Sequence, residues 1–176
     1  MAYKRIKSFF SPATFRRTGA LKAVIVFQLL FIGWQFTARL DNNGDNARYY
    51  TLAQSLAQGK GYRNIAEPDE PRESQYPVVL PFFLALSGMV SSSPLPAKII
   101  LAWCSVLVTL LCYLYFREMT DDAILPALVV FTATSALLAQ YSVILMSEVP
   151  FLLASVGALF CYEKSRRAPH NHALFW

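Results

Sequence analysis

The chain has 176 residues, of which 55% are hydrophobic and 15% are charged. Soluble domains carry about 25% charged residues, and the apolar residues here are gathered into runs near the length of about 20 that crosses a bilayer as a helix. This composition excludes an ordinary soluble domain and predicts an all-α, polytopic transmembrane helical bundle. The net charge of +5 does not indicate nucleic-acid binding, because the basic residues flank the apolar runs.

Residues 1–20 are predicted to be a basic N-terminus on the cytoplasmic side, where positive residues are retained and can contact anionic lipid. Residues 21–38 form the first predicted span. This span is too long for a signal-peptide core and lacks a small-x-small cleavage site, so we expect it to stay in the mature protein. The prediction is a multi-pass protein of the cell or inner membrane.

Residues 39–96 are predicted to lie outside the membrane on the outer face. Within them, residues 46–58 have apolar positions at helical spacing, and Asp45 just before them can cap the helix N-terminus. Gly59 and Gly61 supply the stop signal. This helix is too polar to span, so we expect it to lie along the interface with its apolar stripe down. Residues 63–75 read as irregular loop.

Two interpretations of residues 78–90 compete, because the stretch is apolar but short: a thin transmembrane helix, or an interfacial helix that stays outside. Three further spans are predicted at residues 98–116, 123–141 and 143–162. A basic cluster, residues 163–167, follows the last span. It falls inside only if residues 78–90 do not cross, so the positive-inside rule favours four spans. The transmembrane module is then 21–165, followed by a cytoplasmic tail, 166–176.

Several polar residues could carry chemistry, and each also has a structural interpretation. Asp45 is a helix cap or a catalytic acid. Glu148, near the start of the last apolar run, is a hydrogen-bonded structural carboxylate or a functional group, because ionised carboxylates in hydrocarbon cost about 2.5–3.5 kcal/mol even on lenient scales. Arg48 is either a solvated loop charge or a residue whose planar guanidinium binds a phosphate. Lys98 is either an anchor that extends its ammonium group to the membrane surface or a residue that binds a phosphate. Tyr49 belongs to an aromatic group that an interfacial belt explains.

The remaining reactive side chains have simple explanations. The cysteines Cys104, Cys112 and Cys161 lie in apolar runs and are expected to pack as small hydrophobes. His170 and His172 are expected to lie in a solvated tail rather than to bind a metal.

The order of these motifs resembles the N-terminal part of GT-C-type glycosyltransferases, the polytopic enzymes that use polyprenyl-phosphate-linked sugars and include protein mannosyltransferases and the lipid A aminoarabinose transferase. The resemblance rests on residues 44–50 (GDNARYY), residues 52–62 (LAQSLAQGKGY) and Tyr76-Pro77 opening an apolar helix. Asp45 and Tyr49 fit the family's Asp-x-x-x-Tyr motif in the first outer loop. Residues 147–151 (SEVPF) resemble its second acidic position. Asn46 departs from the family, where an acid is common.

The resemblance implies transfer of a sugar from a polyprenyl-phosphate donor to a glycan, lipid or protein acceptor at the outer face of the cell envelope. Asp45 would take the acceptor's proton, while Arg48 and Lys98 would stabilise the lipid-phosphate leaving group. Tyr49 would line the substrate site. Glu148 would orient the acceptor, hold Asp45, or share a divalent cation with it. Two carboxylates without histidine favour Mg²⁺ or Mn²⁺ if a metal is bound.

Other classes of function stay open at this stage. Family members are longer and have more spans, so we expect this chain to be incomplete as an enzyme: a fragment, a truncated reading frame or one component of an assembly. The alternative is a non-catalytic membrane scaffold or an inactive relative, in which Glu148 only bonds neighbouring helices. A transporter is disfavoured because no internal repeat or Gly-broken helix pair is visible.

Overall fold

The computed structural model describes residues 12–40, 44–88, 93–120 and 124–167. These residues form seven α-helices and no β-strand, so the all-α prediction is confirmed for the described part of the chain. In chain order the helices are α1 (Pro12–Gln35), α2 (Gly44–Ala57), α3 (Val79–Leu86), α4 (Leu95–Met119), α5 (Leu125–Ala133), α6 (Ala136–Tyr141) and α7 (Glu148–Arg167).

Helix α4 is the central element of the fold. It supplies a buried side chain to each of four apolar clusters: Leu101 beside α2 and α3, Val108 beside α6 and α7, Val106 beside α1, and Tyr113 beside α5. Proline occurs only in its first turn, where the missing N–H would have no helical partner, and no glycine follows. The long uninterrupted helix follows from that sequence.

One described helix is long and apolar enough to cross a membrane: Leu95–Arg117, with 23 residues. Only 39% of its most apolar window is buried inside the protein, so much of its apolar surface faces outward. Helix α1 contributes a shorter apolar stretch, Leu21–Gln35. Among the described helices, length and composition therefore support one span, whereas the sequence predicted four.

The predicted span at residues 123–141 is interrupted. It forms two short helices, α5 and α6, because Ser135 adopts a non-helical ψ of 122°. The Thr132 and Thr134 hydroxyls donate hydrogen bonds to the carbonyl oxygens of Leu128 and Val130. Such bonds to the i−4 carbonyl compete with regular helix and bend it. A continuous apolar run therefore did not give a continuous helix.

The predicted span at residues 143–162 starts later than expected. Helix α7 begins at Glu148, and residues 142–147 are not helical. Pro150 explains the start, because proline is tolerated in a helix's first turn but clashes with the carbonyl of residue i−4 when helix precedes it. Glu148 is thus the first residue of a helix rather than a residue inside one.

The two helices within residues 39–96, α2 and α3, are close to the predicted positions. Helix α2 ends before Gly59, whose φ of +72° is the left-handed conformation that favours glycine. On its apolar side Leu52 and Ala53 are fully buried and Leu56 is half-buried, and Ala53 packs in a cluster with residues of α3 and α4. Helix α3 has eight residues, a length of about 12 Å against a bilayer core of about 30 Å. This favours the interpretation in which residues 78–90 do not cross.

Some predictions concern residues whose structure is not described. The first eleven residues, with Lys4, Arg5 and Lys7, are outside the described ranges. So are residues 41–43 and the tail from residue 168, which contains His170 and His172.

Two substitutions on α4 test which of its faces is packed inside the protein. Leu101 is 1% exposed and Ile99 is 43% exposed. We expect Leu101→Ala to lower the free energy of unfolding by about 2–5 kcal/mol, because it leaves a cavity. Ile99→Ala should cost less than about 1 kcal/mol. Unfolding in detergent micelles measures both. Equal losses would contradict the packing of α4.

Candidate functional site

Asp45 is the second residue of α2, which begins at Gly44, so it lies inside the first turn and not at the cap position. Its carboxylate is half-buried and accepts a hydrogen bond from the Tyr76 hydroxyl, which comes from the segment just before α3. A carboxylate in the first turn also interacts favourably with the helix dipole. Asp45 is therefore not at the predicted cap position, and its carboxylate is instead held by the hydroxyl of Tyr76.

Tyr49 connects the Asp45 helix to the segment before α7. Its hydroxyl lies 3.1 Å from the Ser147 Oγ, across 98 residues of sequence. Its ring meets the Tyr76 ring edge-on, with centroids 5.2 Å apart. The contacts run from Asp45 through Tyr76 and Tyr49 to Ser147, the neighbour of Glu148. The two acidic motifs, distant in sequence, are joined through these side chains.

Arg48 bridges two glutamates of the loop between α2 and α3. Its Nη1 lies 2.6 Å from Glu67 Oε1, and its Nε lies 2.8 Å from Glu73 Oε2. These hydrogen bonds raise the pKa of Arg48, the bond to Glu67 most. The guanidinium also approaches the Tyr76 ring, with 6.0 Å between Cζ and the ring centroid. Arg48 is therefore held beside Asp45's hydrogen-bond partner, and it is not a freely solvated loop charge.

The two glutamates differ in exposure. The Glu67 side chain is 47% exposed and the Glu73 side chain 3%. Hydrogen bonds from Arg48 and then Asn64 lower the pKa of Glu67. For Glu73, burial acts to raise the pKa, but hydrogen bonds from the Gln75 N–H, Arg48 and the Ser74 N–H outweigh it and lower the pKa. Both carboxylates are thus held in the charged form by the fold.

Two tyrosine hydroxyls are held protonated. The hydrogen bond to Asp45 raises the pKa of Tyr76, because it favours the protonated phenol. Burial raises the pKa of Tyr62 to about 12, and its hydroxyl donates to the Tyr76 carbonyl oxygen at 2.9 Å. These phenols act as hydrogen-bond donors that fix Asp45 and the Tyr76 backbone.

Glu148 is the first residue of α7, and its side chain is exposed. A negative charge there is stabilised by the helix N-terminus, which is a sufficient structural reason for an acid at this position. None of the described residues hydrogen-bonds its carboxylate. Of the two interpretations of Glu148, a hydrogen-bonded structural carboxylate therefore has no support among the described residues. Its position next to Ser147 places it at the edge of the same site.

Lys98 is completely buried, whereas the sequence suggested an anchor at the membrane surface or a phosphate partner. Its Nζ donates to the Arg39 carbonyl oxygen at 2.7 Å and to Thr37 Oγ1 at 3.2 Å. It also lies 5.9 Å from the centroid of the Phe36 ring. Lys98 thus fixes the chain leaving α1 against the start of α4. The hydrogen bonds offset the free-energy cost of burying its ammonium group.

Asn46 occupies the position where the resembled family commonly has an acid. Its side chain is fully buried, and neither its amide nitrogen nor its amide oxygen has a hydrogen-bond partner. A buried unsatisfied polar group costs about 1–3 kcal/mol. We have no physical account of this residue within the described part of the chain.

The described residues contain no group of three or more His, Cys, Asp or Glu side chains placed to hold a metal ion. The Mg²⁺ or Mn²⁺ expectation named only Asp45 and Glu148, and it stays a prediction. Mg²⁺ is commonly held by one or two carboxylates together with substrate phosphates.

Sequence reasoning missed three partners in this site. Tyr76 was explained as part of an interfacial belt, although its place in the motif after the loop was a usable signal. Glu67 and Glu73 received no role, because ion pairs across an irregular loop have no fixed sequence spacing.

Acid should release the bridge made by Arg48. The pKa values of Glu67 and Glu73 are lowered in the folded protein, so their stabilisation is complete above the ordinary carboxylate value of about 4.3. It is lost as the pH falls through the lower folded values. Hydrogen exchange, corrected for intrinsic rates, should show loss of protection at residues 63–75 below about pH 4.

Arg48→Gln is the control for this measurement, because the variant should have low protection in this loop at every pH. Protection in the unmodified protein that stays constant from neutral to strongly acidic pH would contradict the ion-pair bridge.

A comparison of the chain with protein-family models, with curated proteins and with solved structures finds no match in any of the three. Inferences about function therefore rest on the chain's own residues and on the contacts among Asp45, Tyr76, Tyr49 and Ser147.

Proposed function

We propose that the chain is a membrane glycosyltransferase module that transfers a sugar from a polyprenyl-phosphate donor to an acceptor at the outer membrane face. The acceptor is a glycan, a lipid or a protein. The observation that carries the proposal is the 3.1 Å contact between Tyr49 and Ser147, because it joins the Asp45 motif to the Glu148 motif. The GT-C-type resemblance requires both acidic positions to serve one site.

Asp45 is the proposed general base. The acceptor oxygen attacks the anomeric carbon and forms the new glycosidic bond, while the bond from that carbon to the phosphate oxygen breaks. Asp45 takes the acceptor's proton, which requires contact at about 2.6–3.2 Å. Its hydrogen bond from Tyr76 fixes the orientation of the carboxylate. The electron pair of the broken bond leaves with the polyprenyl phosphate.

Arg48 is the proposed cation for the leaving phosphate. A planar guanidinium suits a phosphate, and charge stabilisation there lowers the barrier. Its bond to the exposed Glu67 is the one that a phosphate could replace, while the bond to the buried Glu73 keeps the side chain in place. Lys98 would have to leave Arg39 to take part, so we assign it to positioning the loop. Tyr49 lines the site, and Glu148 orients the acceptor or holds a divalent cation with Asp45.

A multi-pass arrangement is part of the proposal. Helix α7 has 20 residues, but its last five, residues 163–167, are charged or polar. The remaining part is about 22 Å long and would cross a bilayer core of about 30 Å only where the membrane is locally thinner. The α5–α6 pair is a broken helix, which membranes tolerate where the break is covered by protein. Phe131 and Leu137 on this pair are 76% and 65% exposed, as expected for side chains that face lipid. With α1 and α4 these segments make four crossings, with α2 and α3 outside.

A non-catalytic membrane scaffold is the second candidate. The observation in its favour is that Arg48 and Lys98 both have partners inside the protein, so neither cation needs a substrate to explain it. In a scaffold, Tyr49 and Ser147 would only hold the outer loop against the helices.

Neutral substitutions of the two acids separate these candidates. Asp45→Asn preserves size and can still accept the Tyr76 hydrogen bond, but it removes the base. In the complete gene product we expect sugar transfer to fall at least about 10²-fold. Glu148→Gln should also lower transfer. Both variants should change the free energy of unfolding by about 1 kcal/mol or less.

Asp69→Asn, an exposed acid of the same loop, is the matched control and should keep full activity. Transfer from a labelled polyprenyl-phosphate sugar is measured beside a melting curve for each variant. Near-normal transfer in both site variants would favour the scaffold.

Labelling from each side of the membrane tests the four crossings. In a chain with Cys104, Cys112 and Cys161 replaced by serine, single cysteines are introduced at Gln58 and Ser165. An impermeant maleimide should label the first from the outside and the second only after the membrane is opened, because an even number of crossings returns the C-terminal end to the inside. Outside labelling of both positions would refute the four-span topology.

A further inference from the structure

A second group of cations lines a cavity in the loop between α2 and α3. The cavity has a volume of about 390 Å³. Its walls are formed by Lys60, Gly61, Tyr62, Arg63, Arg72 and Glu73. Three of these six residues are cationic and one is anionic. Arg48 on α2, by contrast, is paired with two glutamates.

The backbone forces two arginines together in this cavity. Arg63 and Arg72 form an isolated antiparallel bridge. The flanking hydrogen bonds run from the Asn64 N–H to the Pro71 carbonyl oxygen and from the Glu73 N–H to the Tyr62 carbonyl oxygen, both at 3.0 Å. This pattern makes Arg63 and Arg72 the non-hydrogen-bonded kind of pair, with Cα atoms about 4.5 Å apart and side chains on one face. Like charges directly opposite each other are destabilising, so the fold holds an unfavourable pair.

The nearby anions are already engaged. Glu73, on the cavity wall, pairs with Arg48, and the Glu70 carboxylate lies 2.6 Å from Lys60 Nζ. Arg63 Nη1 reaches only the Glu70 backbone carbonyl oxygen, at 3.2 Å. Among the described residues, Arg72 has no ion-pair or hydrogen-bond partner for its guanidinium. Two arginines at directly opposed backbone positions therefore line the cavity, and neither guanidinium is paired with a carboxylate among the described residues.

We propose that this cavity binds a phosphate group between the guanidinium groups of Arg63 and Arg72, with Lys60 at its edge. Arginine presents parallel N–H donors that match phosphate oxygens, and a bound dianion or monoanion removes the repulsion within the pair. The phosphate belongs either to the headgroup of an anionic phospholipid at the outer membrane face or to a soluble phosphate compound. The site uses neither Asp45 nor Glu148, so it does not depend on sugar transfer.

The test compares two double variants of the full chain in detergent. Arg63→Gln with Arg72→Gln removes the proposed site. Arg39→Gln with Arg166→Gln removes the same charge from exposed positions elsewhere. In the first assay, native mass spectrometry counts how many phosphatidylglycerol molecules each protein retains, with phosphatidylcholine as the control lipid. In the second assay, Tm is measured at increasing concentrations of inorganic phosphate, with chloride at equal ionic strength as the control. A ligand that binds only the folded state raises Tm.

We expect the unmodified protein and the Arg39/Arg166 variant to bind at least one of the two probes, and the Arg63/Arg72 variant to lose at least about tenfold in affinity for it. Preference for phosphatidylglycerol alone identifies a lipid headgroup, and a phosphate-dependent rise in Tm alone identifies a soluble phosphate compound. Without any probe, the Arg63/Arg72 variant should melt at the same or a higher temperature, because the like-charge pair is gone. Equal binding by the two variants, binding of neither probe, or a lower Tm in the Arg63/Arg72 variant would overturn the proposal.

Discussion

The hydrogen bond between Tyr49 and Ser147 is the contact on which the arrangement of the site depends. Helix α2 is short and half polar, and isolated helices of its length are marginal in water. It is held because Tyr49 and Tyr50 bury their rings against α3 and α4 and find partners for their hydroxyls, Ser147 Oγ for the first and the Ser93 carbonyl oxygen for the second. Asp45 is then fixed by Tyr76, whose ring packs on Tyr49.

Large apolar side chains face outward on the described helices: Leu30 and Trp34 on α1 are 69% and 81% exposed, and α4 is long and apolar enough to cross a membrane. Two buried polar side chains between the helices donate hydrogen bonds to backbone carbonyl oxygens: Lys98 to that of Arg39, and Gln28 to that of Ser105 at 3.3 Å. These bonds tie α1 and the chain leaving it to α4, so the segment just after α1 has a fixed position.

Helices with local sequence signals were predicted correctly. The predictions were wrong where tertiary contacts or single polar residues determine where a helix breaks or begins. The α2 helix followed from apolar spacing and two glycines. The break after α5 was missed because hydropathy does not register threonine hydroxyls that bond the preceding turn, and the late start of α7 was missed because Pro150 was read as part of an apolar run. Asp45 and Tyr49 were named from a motif, yet the Tyr76 hydroxyl that holds Asp45 and the glutamates that hold Arg48 come from loop positions without a fixed spacing.

Photocrosslinking from position 49 tests the contact between the two acidic motifs most directly. In azidophenylalanine the azide replaces the tyrosine hydroxyl, so at position 49 it should crosslink to the peptide that contains Ser147. At position 50, whose hydroxyl donates to the Ser93 carbonyl oxygen at 2.9 Å, the same group should crosslink near Ser93 instead. Crosslinks from position 49 to lipid alone, or to a segment other than the one before α7, would contradict the joined site.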